Sequence, residues 1–99
     1  MQSSYPEWFD REMTCNEAEW HRWLPQALGS QTWTMHRDAV DVHIGTGALA
    51  LSWSVGEPRV IGLARLPRLH VSFRFAGVDG AQRHAFMRRF DLYMQRGGG

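Results

Sequence analysis

Four side chains in the middle of the chain, His36, Asp41, His43 and His70, are of the types that bind a transition metal or move a proton. A zinc site needs every ligand atom about 2 Å from one ion, so the ligands must converge from adjacent positions. No H-x-H, C-x-x-C or H-E-x-x-H spacing brings these residues together. In the strand registers derived below, His43 and His70 stand three strands apart, about 14 Å at the usual spacing. No metal site and no cofactor are expected. Ser52 would complete a His36/Asp41/Ser52 set, but a nucleophilic triad needs the histidine between acid and nucleophile. Here Asp41 falls between the other two, and no G-x-S-x-G turn presents a serine. No catalytic residue is assigned, and an Asp41–His36 pair that fixes a hairpin is the simpler reading.

Cys15 is the one cysteine, which rules out an internal disulfide and fits a reducing compartment. In the first turn of a helix its thiolate would gain from the macrodipole, yet no partner residue stands beside it in sequence. All eleven basic residues are arginine. The absence of lysine removes Schiff-base chemistry and the phosphate-loop lysine, and a GC-rich bacterial genome is enough to explain it. Charge is uneven. Residues 1–50 carry seven acids and three arginines, net −4; residues 51–99 carry three acids and eight arginines, net +5. A basic half can bind nucleic acid, with Arg65, Arg68, Arg83 and Arg89 the candidates; an acidic half joined to a basic half can also pair with a copy of itself.

The elements that must position these groups are announced by alternation between Gln31 and Phe75. Trp33, Met35, Val40, Val42, Ile44, Leu49, Leu51, Trp53, Ile61, Leu63, Leu69, Val71, Phe73 and Phe75 alternate with small or polar residues. A period of two means strands with one buried face. Turns at Asp38-Ala39 and Thr46-Gly47 would pair Met35 with Val42 and Ile44 with Leu49. Loops at Gly56-Glu57-Pro58 and Leu66-Pro67-Arg68 would set Ile61 beside Trp53 and Val71 beside Leu63. Short connections in phase predict an antiparallel meander of four or five strands. Ser4–Glu7 and Thr14–Glu17 both read as capping boxes. They predict a short helix over residues 5–12, and a longer one carrying Trp20, Trp23, Leu24, Ala27 and Leu28 that stops at Gly29. Asp79–Gln82 caps a last helix with a Phe86/Met87/Phe90/Tyr93/Met94 stripe.

The expected fold is α+β. An antiparallel four- or five-stranded meander has an N-terminal and a C-terminal helix packed on one face, a two-layer sandwich. Residues 1–99 read as one small domain, with residues 1–13 an N-terminal arm and 97–99 a flexible tail. No membrane span and no signal peptide are legible, so the expected location is cytoplasmic. The second face of the sheet is unusual. Expected rows run His36, Asp41, Ser52, Gly62, Ser72 and Thr34, His43, Ala50, Ala64, His70, a floor of small side chains with polar walls. Small residues let another backbone or a ligand approach closely. The candidate binding residues are His43, Ala50, Ser52, Gly62, Ala64, His70, Ser72 and Arg74. The preferred function is a non-enzymatic interaction domain, a homodimer or a binder of another protein, using this face. The alternatives are a nucleic-acid module through the arginines, and a small enzyme or ligand-binding protein with a His/Arg-walled pocket.

Overall fold

The computed structural model describes residues 4–96. Along the chain run β1 (Trp8–Met13), α1 (Glu17–Leu28), β2 (Trp33–Met35), β3 (Ala39–Ile44) and β4 (Gly47–Val55). They are followed by β5 (Arg59–Ile61), β6 (Ala64–Leu66), β7 (Leu69–Ala76) and α2 (Gly80–Arg96). A five-stranded antiparallel sheet has the order β1-β7-β4-β3-β2, and β5 and β6 form a separate two-stranded hairpin. This is the expected α+β architecture. The tail expected at 97–99 lies outside the described residues.

The alternation sorts the two faces as read from the sequence. Val40, Val42, Leu49, Leu51, Trp53, Leu69, Val71, Phe73 and Phe75 are buried on one side, against Trp20, Leu24 and Leu28 of α1 and Phe86, Met87, Phe90 and Met94 of α2. Full burial of each large side chain is worth about 1.5–3 kcal/mol. Trp20 tilts against Trp53 at 5.4 Å between ring centroids, and Phe90 meets Phe73 edge-on at 5.4 Å, arrangements that suit the aromatic quadrupole.

The expected registers are corrected by two residues. Met35 pairs with Val40, not Val42, and Val42 pairs with Leu49, not Leu51. The turn between β3 and β4 is Gly45-Thr46, with Gly45 at φ +59°. A positive φ at the first central position only is the type II′ hairpin, which calls for glycine there. Moving a turn by one residue shifts register by two, so every side chain keeps its face and changes its partner.

Two larger corrections concern strands. The segment expected as a helix over 5–12 is β1, paired antiparallel to β7. Phe9 stacks on Phe73 at 4.6 Å, and Arg11 and the Tyr5 hydroxyl both bond the Asp91 carboxylate of α2. Burial, with Asp91 adjacent, holds the Tyr5 hydroxyl above its ordinary pKa. Residues 59–66 do not join the sheet between β4 and β7. They form the β5–β6 hairpin, and β4 pairs directly with β7.

The helix ends follow their capping signals with one shift. Asn16 caps α1, its side chain accepting from the Glu19 N–H while the Glu19 carboxylate accepts from the Asn16 N–H. The expected box over Thr14–Glu17 lies two residues early, and Cys15 precedes the cap rather than sitting in the first turn. Asp79 and Gln82 make the expected reciprocal pair before α2. Gly29, at φ +69°, ends α1 as read.

Candidate functional site

Helices cover one face of the sheet, and the other face is open among the described residues. Its side chains fall into rows across the strands: Trp8, Arg74, Ala50, Asp41 and Thr34 in one, Asp10, Ser72, Ser52 and Ala39 in the next. Glu12, His70 and Ser54 form a third row towards the root of the β5–β6 hairpin; Ala76, Ala48 and His43 form a fourth on the other side. Period-two alternation alone puts all of these on one face.

A connected polar group on this face is built by β1 and β7. Arg74 Nη1 donates to the Asp10 carboxylate at 3.1 Å and to the Phe9 and Phe73 carbonyls. Its guanidinium lies over the Trp8 ring, 5.6 Å from the centroid, and the Ser72 hydroxyl donates to Asp10. The Ser72 hydroxyl first, then Arg74, hold the Asp10 carboxyl below its ordinary pKa. Trp8 remains 72% exposed, a large aromatic fixed in place by Arg74 and presented to its surroundings.

Beside this group runs an open trough of about 760 Å³, lined by Asp10, Glu12, Ser52, Ser54, His70 and Ser72 among others. Its acid end is flanked by Arg68, whose Nε lies 2.9 Å from Glu12 but out of line for a hydrogen bond. The structure thus brings Ser52, Ser72 and His70 together at the trough, with Arg74 one row away through Asp10. His43 stands two strands from His70 and three rows along. Gly62 and Ala64 are corrected: they belong to the hairpin, Gly62 at its tip with φ +59°, and neither lies on the sheet.

His36 and Asp41 are 2.9 Å apart, both exposed, across the β2–β3 turn. Among the described residues no three His, Cys, Asp or Glu side chains are placed to share a metal ion. Cys15 is buried, and burial, with Glu19 adjacent, pushes its thiol up to about 11, the opposite of an activated thiolate. Of the four arginines considered for nucleic acid, Arg83 donates to the Tyr5 and Val78 carbonyls. Arg89 lies over Tyr93 and donates to the Gln26 carbonyl. Arg68 faces Glu12, and Arg65 stands on the hairpin. The set is spread over the helix layer, a loop and the hairpin.

Trp8, Asp10 and Glu12 are not among the candidate binding residues read from the sequence. Phe9 and Met13 are four apart, which suits a helix as well as a strand, and Asp and Glu are poor strand formers. Only pairing with β7 decides their side.

No family model, curated protein or solved structure matches the chain. Among the described residues no helix is long and apolar enough to cross a membrane.

Proposed function

We propose that this chain is a small non-enzymatic binding domain that forms a homodimer through the open face of its sheet. The observation that carries the reading is a five-stranded sheet with helices on one side only, whose bare side presents Ala48, Ala50, Ser52 and Ser54 beside an exposed Trp8. Small side chains along β4 let an opposing backbone come close, and exposed aromatics beside arginine are the residue types that anchor interfaces. The binding reading draws on Ala50, Ser52, His70, Ser72 and Arg74 of the residues proposed from sequence.

The nucleic-acid and enzyme readings have less support. Arg68, Arg83 and Arg89 are engaged within the chain, and Arg74 is committed to Asp10 rather than free to hold an anion. The test is light scattering after size exclusion, with about twice the 11.4 kDa chain mass expected. Ala50→Arg, in the centre of the bare face, should release monomer. A wild-type protein that stays monomeric at high concentration refutes the reading.

A further inference from the structure

The exposed apolar surface of this chain is gathered at one place. Of the seven large apolar residues left exposed among the described residues, four, Val55, Val60, Ile61 and Leu63, belong to the β5–β6 hairpin or its root. Val60, Ile61 and Leu63 are 64, 57 and 107% exposed. Single exposed apolar residues are ordinary, whereas a cluster marks a contact. Neither strand of the hairpin pairs with the main sheet, and a two-stranded hairpin is marginal in water unless something packs on it.

We propose that the β5–β6 hairpin inserts tip-first into the surface of an anionic lipid bilayer, with Ile61 and Leu63 at the edge of the acyl chains and Arg59 and Arg65 among the headgroup phosphates. This contact goes beyond the face-mediated dimer and does not depend on it. It lies in the interface and spans nothing.

The shape of the apolar surface selects the occupant. The register places Ile61 and Ala64 with Arg59 on one face of the hairpin, and Val60 with Arg65 on the other, while Leu63 stands at the turn. Apolar side chains therefore point to both sides and off the end. A partner's surface covers one face of such an arm; the acyl phase encloses its tip from every side. Leu63 lies two residues beyond Arg65, about 7 Å at the usual strand rise. Segments that rest in a bilayer interface bury their apolar side about 5–10 Å into the boundary between headgroups and acyl chains.

Charge is the second observation. The side chains of Arg59 and Arg65 form no ion pair and no hydrogen bond among the described residues. Because they stand on opposite faces, they ring the arm behind its apolar tip, and their stems can lie along the arm while the guanidiniums stay at phosphate level. Between Gly56 and Arg68 the sequence holds three arginines and one acid. The acid, Glu57, is two residues further from the tip than Arg59, and Arg68 is held by Glu12. The part that would enter the interface is thus apolar with a purely cationic collar, which an anionic surface attracts.

The arm is also held at its base. The Gly56 N–H donates to the Arg68 carbonyl at 2.9 Å, and Pro58 and Pro67 fix φ in the two legs. A tip presented on fixed legs has less conformational freedom to lose on insertion than a floppy loop.

The test is flotation with vesicles of phosphatidylcholine alone and of phosphatidylcholine containing phosphatidylserine. The protein should float with the phosphatidylserine vesicles, and less so as salt is raised. Arg59→Glu combined with Arg65→Glu, and separately Leu63→Asp combined with Ile61→Thr, should each weaken that binding by about tenfold or more, with circular dichroism unchanged. Insertion has its own readout. A polarity-sensitive dye on Leu63→Cys should shift to the blue when the vesicles are added, and the same dye on His43→Cys, at the opposite end of the sheet, should not; buried Cys15 stays unlabelled in the native protein. No flotation, flotation equal on both vesicles, or flotation that both arm variants retain overturns the proposal. So does a Leu63→Asp chain that turns a vesicle-free dimer into monomer while the wild type ignores lipid, which would make the tip a contact between copies.

Discussion

Asp10 gathers the polar chemistry of the open face. It accepts from Ser72 and Arg74, and Arg74 in turn supports Trp8. Its lowered pKa means that the folded state holds its proton less tightly than the unfolded chain. The resulting stabilisation is present above the ordinary value of 3.8 and is lost as pH falls through the lower folded value. Carbon-detected NMR should show Asp10 titrating below 3.8. Arg74→Ala should raise that midpoint towards 3.8 without reaching it, because the Ser72 hydroxyl remains. For Cys15 the sign is reversed. Its folded pKa lies above 9.0, at about 11, so its contribution to stability is complete below 9.0 and is lost as pH rises through about 11. Native protein at pH 8 should react with a maleimide at least about a hundredfold more slowly than denatured protein, with mass spectrometry as the readout. At this scale the sequence was partly legible. Ser52, Ser72 and Arg74 were placed on the correct face by alternation alone, and the His36–Asp41 pair was foreseen, whereas Asp10 and Trp8 depend on a partner strand more than fifty residues away.

At the scale of elements, glycine decides where strands turn and touch. A Cβ on Gly47 would strike the backbone carbonyls of Ala76 and Gly77, where the start of β4 runs against the end of β7. Backbone cannot swing aside as a side chain can. Gly47→Ala should cost about 1–3 kcal/mol, read as a lower urea midpoint with an unchanged denaturant slope. Gly62→Ala has open space around it and only the strain of φ +59° to meet, so it should cost about 1–2 kcal/mol, all of it from the backbone. The same two glycines show why some elements were harder to read. Ile44-Gly45-Thr46-Gly47 and Ile61-Gly62-Leu63-Ala64 are both two-residue turns opening with a left-handed glycine. In the first, taking Thr46-Gly47 as the centre shifted the register by two and kept the faces. In the second, Gly62 sat where a strand residue of the meander was expected, and Ile61 and Leu63 matched the apolar phase of Trp53 and Leu51. Alternation tells which residues share a face; it does not tell which strand lies alongside.

Across the whole molecule, stability is concentrated in the middle of the sheet. β4 and β7 are the long central strands, flanked by neighbours on both sides and covered by both helices. The radius of gyration, 13.7 Å, slightly exceeds the roughly 13 Å usual for this length, and the longest dimension is 47 Å. The β5–β6 hairpin is paired only within itself. Native-state hydrogen exchange should find β4 and β7 amides slowest and β5–β6 amides exchanging at least about a thousandfold faster.

The two borders of the sheet are unequal, β2 with three residues and β1 with six. Because the Glu7 carbonyl accepts from the Phe75 N–H, antiparallel alternation turns the peptide groups of Trp8, Asp10 and Glu12 outward. Such a border is a template on which further chains could stack into an endless sheet. Two β1 strands meeting antiparallel about Asp10, Arg11 or Glu12 would set acid against acid. Meeting about Phe9 would bring in Pro6, which has no N–H to offer. The border is thereby closed to its own kind at neutral pH, which blocks growth into a fibre from this side of the sheet.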